Sequence, residues 1–182
     1  NRLHLYTQTV TGTLTRTLKL DAGAAPMAIG QGDLNHDGRD DVAVVNQAAN
    51  TLGIFLQLPG GGLDTMVTYP TGGSPDGLAI GDFNSDARLD VAVSHAVDQT
   101  VGIYYQQEDG TLADPITIGV SSGGFNELET GDVNGDGYDD LVMLRGAGHT
   151  TLHVTIFYQQ NSTLQPPIFR TAEDGGFLAH GL

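Results

Sequence analysis

The chain has no cysteine and few basic residues. Its 182 residues include 7 Lys and Arg, of which Lys19 is the only lysine, against 22 Asp and Glu, and the formal net charge is −15. The lack of cysteine excludes disulfides, thiolate metal sites and cysteine nucleophiles, and it leaves the redox compartment open. Because so few basic residues leave no electrostatic footprint for a phosphate backbone or an anionic membrane, we expect no nucleic-acid partner.

Long apolar runs are also missing. No stretch approaches the roughly 18 apolar residues of a membrane-spanning helix, and no charged-then-apolar leader opens the sequence. We therefore expect no membrane insertion. Any export signal is expected to have been removed or to lie outside this sequence.

Recognisable catalytic motifs are absent as well. The sequence contains no Gly-x-Ser-x-Gly elbow, no phosphate-binding glycine loop and no His-Glu-x-x-His pair. Its six histidines share neither a repeated position nor the spacing of metal ligands. The carboxylates within the loops described next could in principle form a glycosidase pair, but the loop pattern already accounts for them. The sequence thus predicts a protein without enzyme activity of its own.

What the chain does contain is one acidic pattern in three copies. Asp-x-Asn-x-Asp-x-x-x-Asp recurs at offsets of 49 and 50 residues, each time followed by a short apolar run. Positions 1, 3, 5 and 9 carry side-chain oxygens and position 7 offers a main-chain carbonyl, and Ca²⁺ prefers such hard oxygen ligands. The candidate calcium ligands are Asp33, Asn35, Asp37, the Arg39 carbonyl and Asp41; Asp82, Asn84, Asp86, the Arg88 carbonyl and Asp90; and Asp132, Asn134, Asp136, the Tyr138 carbonyl and Asp140.

Two other structures share parts of this pattern. An EF-hand needs a Glu at position 12 and flanking helices, but position 12 here is Val44, Val93 or Met143. A metal-free turn would explain the Asn and Gly residues. It would not explain nine carboxylates in three short loops, which repel one another unless a cation lies among them. The pattern therefore favours a calcium loop within a β-hairpin.

The three copies differ at position 6. This residue is Gly38 in the first copy and Gly137 in the third, but Ala87 in the middle one. If position 6 requires a positive φ, a non-glycine residue there costs about 1 kcal/mol. We therefore expect the middle site to be the weakest or the most distorted of the three.

Each loop belongs to a longer repeat of about 50 residues. An apolar segment precedes the loop, a second strand follows it, and two further strands complete the unit. Four short strands at this period, without helical periodicity, predict an all-β protein, a β-propeller of four-stranded antiparallel blades. The predicted boundaries within this single segment, 1–182, are a half blade at 1–22, blades at 23–71, 72–121 and 122–172, and the first strand of a next blade at 173–182.

About three and a half blades are thus expected, as a partial propeller or as half of an assembled one. Closed propellers have about four to eight blades. An open arc would expose apolar faces and sheet edges to water. We therefore expect that remaining propeller blades, a second copy of the chain or a partner chain closes the ring.

The middle copy carries a family resemblance. Residues 79–86 read Ala-Ile-Gly-Asp-Phe-Asn-Ser-Asp and residues 89–93 read Leu-Asp-Val-Ala-Val, which resembles the FG-GAP/VCBS repeat of integrin α-subunit propellers and their bacterial relatives. The resemblance implies one Ca²⁺ in the hairpin between the first and second strands of each blade, hence three sites on the ligands named above. It also implies a module for adhesion, with a protein or glycan ligand, or a structural scaffold.

The expected affinity of such loops bears on location. Calcium loops of the extracellular kind bind at about 10⁻⁴ to 10⁻³ M and would be largely empty in cytosol. We therefore expect an extracellular, cell-surface or periplasmic protein. The alternatives left open are the non-catalytic propeller of a larger secreted enzyme, such as a polysaccharide lyase or phospholipase, and a lectin.

Overall fold

The computed structural model describes residues 1–120, 126–147 and 151–172, and every regular element in this part is a β-strand. The first strand of a next blade predicted at 173–182 lies outside the described residues. The strands are β1 Arg2–Gln8, β2 Leu14–Asp21, β3 Pro26–Gly32, β4 Asp41–Asn46, β5 Thr51–Phe55, β6 Val67–Pro70, β7 Pro75–Gly81, β8 Asp90–His95, β9 Thr100–Tyr104, β10 Ile116–Gly119, β11 Asn126–Gly131, β12 Asp140–Ala147, β13 Thr151–Phe157, β14 Gln159–Gln160, β15 Thr163–Leu164 and β16 Ile168–Ala172.

Three four-stranded antiparallel sheets follow one another along the chain. Their strand orders are β3-β4-β5-β6, β7-β8-β9-β10 and β11-β12-β13-β16, so each is a meander of sequential strands. The strands β1 and β2 form a two-stranded sheet ahead of them, and β14 pairs with β15. The predicted all-β class with four-stranded antiparallel sheets is confirmed. Within the described residues, no helix has the length and hydropathy needed to cross a membrane.

The sheets pack face to face through alternating side chains. In β8, Val91 and Val93 join the core against the β3–β6 sheet, whereas Ala92 joins the core against the sheet that contains β11. All six residues of β8 are buried, as expected of an apolar strand covered on both faces. On the other side, Leu3 of β1 packs on the core that contains Phe55. Each fully buried large apolar side chain in these layers contributes about 1.5–3 kcal/mol.

The first strands of the three sheets lie side by side, with β7 in contact with β3 and with β11. Small residues permit this approach. A Cβ added at Gly30 would lie 2.5 Å from Cδ2 of Leu78, and one added at Gly81 would lie 2.4 Å from Cγ2 of Thr130. Because these glycines have no Cβ, side chains of the neighbouring first strand can occupy the space beside them.

Candidate metal centres

The three acidic segments form the connections between first and second strands. Loop 1 (33–40) joins β3 to β4, loop 2 (82–89) joins β7 to β8, and loop 3 (132–139) joins β11 to β12. Position 9 is the first residue of the second strand in each case. The predicted placement in β-hairpins is confirmed, and the three loops are flanked by strands rather than by the helices of an EF-hand.

Loop 1 shows how the short polar side chains shape the turn. The main-chain N–H of Asp37 donates to Oδ1 of Asp33 at 2.9 Å and to Oδ1 of Asn35 at 3.1 Å. The N–H of Gly38 donates to Oδ2 of Asp33 at 2.8 Å. The side-chain amide of Asn35 donates to Oδ2 of Asp37 at 2.9 Å. Positions 1, 3 and 5 therefore bring their side-chain oxygens together inside the turn.

Loops 2 and 3 repeat these bonds. The position-5 N–H donates to Oδ1 of positions 1 and 3 at 3.1 and 3.0 Å in loop 2, and at 3.0 and 2.9 Å in loop 3. The position-6 N–H donates to Oδ2 of position 1 at 2.8 Å in both. The three loops thus share one backbone conformation and one set of converging oxygens.

Two residues of each loop have left-handed backbone. Position 6 has φ of +82° at Gly38, +64° at Ala87 and +87° at Gly137, as the glycine pattern suggests. Position 4 is left-handed too, at His36, Ser85 and Gly135, which sequence reasoning missed. Loop 2 keeps the hydrogen bonds of the other loops despite Ala87, so the distortion expected there is not seen in its bonding. The lower affinity expected of this loop stays a prediction.

The carboxylate at position 9 has a second role that the sequence did not reveal. Asp41 is fully buried, and its Oδ2 accepts the N–H of Leu34 at 3.0 Å while its Oδ1 accepts the N–H of Gln57 at 2.7 Å. Leu34 is position 2 of the loop, and Gln57 follows the third strand. Asp90 and Asp140 make the same two bonds in their repeats. Each of these carboxylates therefore fastens its loop to the third strand of the sheet.

Burial perturbs the pKa of this carboxylate in loops 1 and 2. Burial raises the pKa of Asp90 to about 7, and the negative charges of Asp86 and Asp82 add to the rise, although the N–H groups of Gln106 and Phe83 oppose it. Burial also raises the pKa of Asp41, the corresponding residue of loop 1. The buried carboxylate therefore lies where a nearby positive charge would favour its ionised form.

In loops 1 and 2 an arginine at position 7 pairs with the carboxylate of position 5. The guanidinium of Arg39 donates to Oδ2 of Asp37 and, through Nε, to the carbonyl of Gln57 at 3.0 Å. Arg88 pairs with Asp86 in the same manner. The sequence indicated only the main-chain carbonyl of position 7 as a candidate ligand, so the side-chain role was missed. Loop 3 has a tyrosine at this position.

Consecutive loops are linked by the glutamine that follows the third strand. The side-chain amide of Gln106 donates to the carbonyl of Asp33 at 3.0 Å, and that of Gln159 donates to the carbonyl of Asp82 at 2.8 Å. Ser85 in loop 2 also donates to Oε1 of Gln159 at 3.1 Å. Each glutamine therefore contacts position 1 of the loop in the preceding repeat.

The donor set of the loops fits a calcium ion in its chemistry. Across the described residues, no group of three or more His, Cys, Asp or Glu side chains could hold a metal by itself. Each loop instead combines carboxylates with an Asn carboxamide and a main-chain carbonyl, all of them hard oxygens. Ionised carboxylate oxygens that accept one N–H keep further acceptor capacity. The residues present therefore fit calcium, with the neutral oxygens as necessary members of the site.

A separate polar cluster is buried behind the second strand of the middle sheet. The Ser94 hydroxyl donates to Oδ1 of Asp76 at 2.7 Å, and Nδ1 of His95 pairs with the Thr100 hydroxyl at 2.9 Å. Ser94 is fully buried and His95 is 2% exposed. Although Ser, His and Asp meet here, the serine hydroxyl donates to the aspartate and not to the imidazole, which is not the arrangement of an activated nucleophile.

An open cleft of about 310 Å³ lies beside loops 2 and 3. Its lining is polar apart from one aromatic ring. The lining residues are Ser85, Asp136, Tyr138, Gln159, Gln160, Asn161 and Ser162. Tyr138 is 49% exposed, so its ring is accessible to a ligand in this cleft.

Comparison with known proteins adds a family and a fold. The sequence profile of the FG-GAP-like repeat matches the chain twice, at residues 33–93 and 82–143, which together cover more than half of the chain. No curated protein sequence matches the chain. The chain is similar to the crystal structure of a functionally unknown protein from Desulfotomaculum acetoxidans DSM 771, with a TM-score of 0.63 and 16% identity over 91% of this chain and 48% of that one. This likeness shows the fold alone, and the chain spans about half the length of that protein.

Proposed function

Because the chain belongs to the FG-GAP-like repeat family, we propose that it is a calcium-stabilised β-propeller segment that acts as an extracellular, cell-surface or periplasmic binding module. FG-GAP repeats are found in propeller modules for adhesion and ligand binding. The observation that carries the proposal is the recurrence of one loop, with the same oxygen donors in the same hydrogen-bonded turn, in three successive sheets. We infer that this chain has a binding or scaffolding role and no catalytic one.

In loop 2, the residues that would hold the ion are Asp82, Asn84, Asp86, the Arg88 carbonyl and Asp90. Calcium, when bound, supplies positive charge among these carboxylates. Asp90 meanwhile accepts the N–H groups of Phe83 in the loop and of Gln106 after the third strand, and so holds these two segments together. Because this arrangement exists only in the folded chain, binding free energy adds to the free energy of unfolding. Equivalent residues act in the same way in loops 1 and 3.

The propeller arrangement is supported by the stacked sheets and by the close approach of their first strands at Gly30 and Gly81. The β1–β2 sheet has two strands where the following sheets have four. It also exposes Tyr6 and Leu14, which are 51% and 66% accessible. We propose that remaining propeller blades, a second copy or a partner chain covers this sheet.

Calorimetry of the EDTA-treated protein with CaCl₂ tests the proposed function. Three binding events with dissociation constants of about 10⁻⁴ to 10⁻³ M are expected. A variant with Asp33→Asn, Asp82→Asn and Asp132→Asn is the matched control, because it removes one negative charge per loop and keeps the size of each side chain. Absence of both binding heat and thermal stabilisation at about 10 mM Ca²⁺ would contradict the proposal.

A second candidate function is glycan binding in the cleft beside loops 2 and 3. Sugar rings stack on aromatic faces, and their hydroxyls pair with amides, hydroxyls and carboxylates. The cleft offers the exposed ring of Tyr138 together with Gln160, Asn161 and Ser162. This observation favours a lectin-like activity, whether the chain acts alone or as the non-catalytic propeller of a larger secreted enzyme.

A glycan array with the wild-type chain and Tyr138→Ala tests this second function. Only the main-chain carbonyl of position 7 belongs to the proposed set of calcium ligands. The substitution therefore removes the ring and keeps this ligand. Binding by the wild type that is lost in the variant, with calcium affinity retained, is the expected result. If no glycan binds, or if both proteins bind equally, the cleft is not the site.

A further inference from the structure

Gln159 contacts two neighbouring loops at once. Its main-chain N–H donates to Oδ1 of Asp140, the buried carboxylate of its own repeat, at 2.9 Å. Its side chain donates from Nε2 to the carbonyl of Asp82 at 2.8 Å and accepts from the Ser85 hydroxyl at 3.1 Å. Because Gln159 is only 1% exposed, solvent does not replace these contacts readily. One residue therefore connects a candidate ligand of loop 3 with position 1 of loop 2.

Asp139 makes a second connection at the same junction. Its Oδ2 accepts the main-chain N–H of Asp82 at 3.0 Å. Both main-chain polar groups of Asp82 are thus held by residues of the following repeat, the N–H by Asp139 and the carbonyl by Gln159. A movement of loop 3 would therefore move the main chain of Asp82, a candidate ligand in loop 2.

The junction between loops 1 and 2 is built from the same glutamine but has fewer polar links. Gln106 donates to the carbonyl of Asp33, as Gln159 does to that of Asp82. Its Oε1, however, is buried without a hydrogen-bond partner. Position 4 of loop 1 is His36 in place of a serine, and position 8 of loop 2 is Leu89 in place of an aspartate. The two junctions therefore differ in strength.

We propose that Gln159 and Asp139 couple loops 2 and 3, so that a divalent cation bound in one loop raises the affinity of the other. This rests on the proposed calcium function and adds a regulatory property to it. A cation that fixes Asp140 orders Gln159, and an ordered Gln159 holds Asp82 in the position that loop 2 requires. The second ion then meets a loop that is already ordered, which is the source of positive cooperativity.

Terbium luminescence measures loop 3 selectively. Tb³⁺ prefers oxygen ligands as Ca²⁺ does, and a nearby tyrosine ring sensitises its emission. Tyr138 is the only position-7 tyrosine among the three loops, and the chain has no tryptophan. Emission lost in Tyr138→Phe is therefore assigned to loop 3. The affinity of loop 3 is then compared with loop 2 intact and with loop 2 disabled by Asp86→Ala.

The expected result is that Asp86→Ala weakens Tb³⁺ binding in loop 3 about fivefold in the wild-type background. The same substitution is expected to have a smaller effect on loop 3 when Gln159→Met is present, because methionine fills the volume without donating to Asp82 while the Asp139 link remains. Gln57→Met is the matched control, since Gln57 has the same place in its repeat and no acidic loop precedes it. That control is expected to leave the coupling intact.

Asp139→Leu provides a second route if Gln159→Met does not fold. It installs the residue that stands at this position in loop 2, and it is expected to reduce the coupling. An equal effect of Asp86→Ala with and without the Gln159 and Asp139 substitutions would overturn the inference, as would no effect in the wild type. Absence of cation binding in every loop would instead overturn the proposed function, so the two failures are distinguishable.

Discussion

Loops 2 and 3 have the same donor pattern in different surroundings. In loop 2, Asp86 is partly buried and pairs with the guanidinium of Arg88, whose Nε also reaches the third strand. In loop 3, Asp136 is exposed and position 7 is Tyr138. One loop thus contains a cation of its own, whereas the salt bridges among the described residues include none to the other. A shared ligand pattern therefore does not imply an equal dependence on calcium.

The pKa is shifted in opposite directions for one carboxylate in each of these two repeats, and the two carboxylates occupy different positions of the pattern. Burial raises the pKa of Asp90 in loop 2 to about 7. In loop 3, backbone N–H groups, that of Gly137 foremost, lower the pKa of the exposed Asp132. Ionisation is thus costly for the buried carboxylate at position 9 of loop 2, whereas the N–H groups of the turn favour the ionised form of the exposed carboxylate at position 1 of loop 3.

Removal of divalent cations is expected to have the largest effect. With a dissociation constant of about 1 mM per loop, about 10 mM Ca²⁺ adds about 1.4 kcal/mol per site and about 4 kcal/mol for three sites. EDTA should therefore lower the melting temperature by about 10 °C.

Hydrogen exchange after EDTA treatment should increase more in loop 3 than in loop 2, because only loop 2 keeps an internal cation. Equal increases in the two loops would show that Arg88 does not substitute for the ion.

Asp90→Ala is expected to be the most damaging single substitution in loop 2. It leaves the buried N–H groups of Phe83 and Gln106 without acceptors, at a cost of about 3 kcal/mol in the free energy of unfolding. The loss should remain in EDTA, because it concerns hydrogen bonds within the chain. Urea denaturation with and without calcium measures it. A loss that disappears in EDTA would make Asp90 a metal ligand alone.

Exchanging the position-7 residues tests the comparison directly. Tyr138→Arg should bring a guanidinium to Asp136, lower the calcium affinity of loop 3 by about 1 kcal/mol and slightly stabilise the metal-free chain. Arg88→Tyr should do the opposite in loop 2. Calorimetry of the two variants and of the double exchange measures both effects.

The matched control for this exchange is Tyr138→Gln, which removes the ring without adding charge. If it changes the calcium affinity of loop 3 as much as Tyr138→Arg does, charge is not the cause. Unchanged affinities in both charge variants would remove the distinction between the loops.

The smallest expected effect concerns the backbone at position 6. Ala87→Gly should stabilise loop 2 by about 0.5–1 kcal/mol, because alanine is strained at a φ of +64°. Gly38→Ala is the mirror control, and it should destabilise loop 1 by a similar amount. A Cβ at Gly38 would meet no atom within 4 Å, so its effect is conformational alone. Thermal unfolding of both variants measures these two effects. If Ala87→Gly lowers the melting temperature, alanine is not strained at this position.

Short-range patterns carried most of what could be predicted. The strands, the hairpin loops and the positive φ of position 6 follow from residues within one repeat, where turn chemistry and β-branched runs act locally. The roles of Arg88, Asp90 and Gln159 depend on partners in other strands or in the neighbouring repeat. The sequence of a single motif does not indicate which distant residues it will contact. The one available signal was the glutamine that recurs after each third strand, at Gln57, Gln106 and Gln159.

The glycines of the first strands have a consequence for curvature. Since Leu78 already occupies the space beside Gly30, and Thr130 that beside Gly81, a single added methyl group would push successive sheets apart along their first strands. The angle between one repeat and the next would then change, and with it the number of repeats that a complete circle accommodates. The absence of a side chain at Gly30 and at Gly81 thus helps to determine the symmetry of any closed assembly that this chain enters.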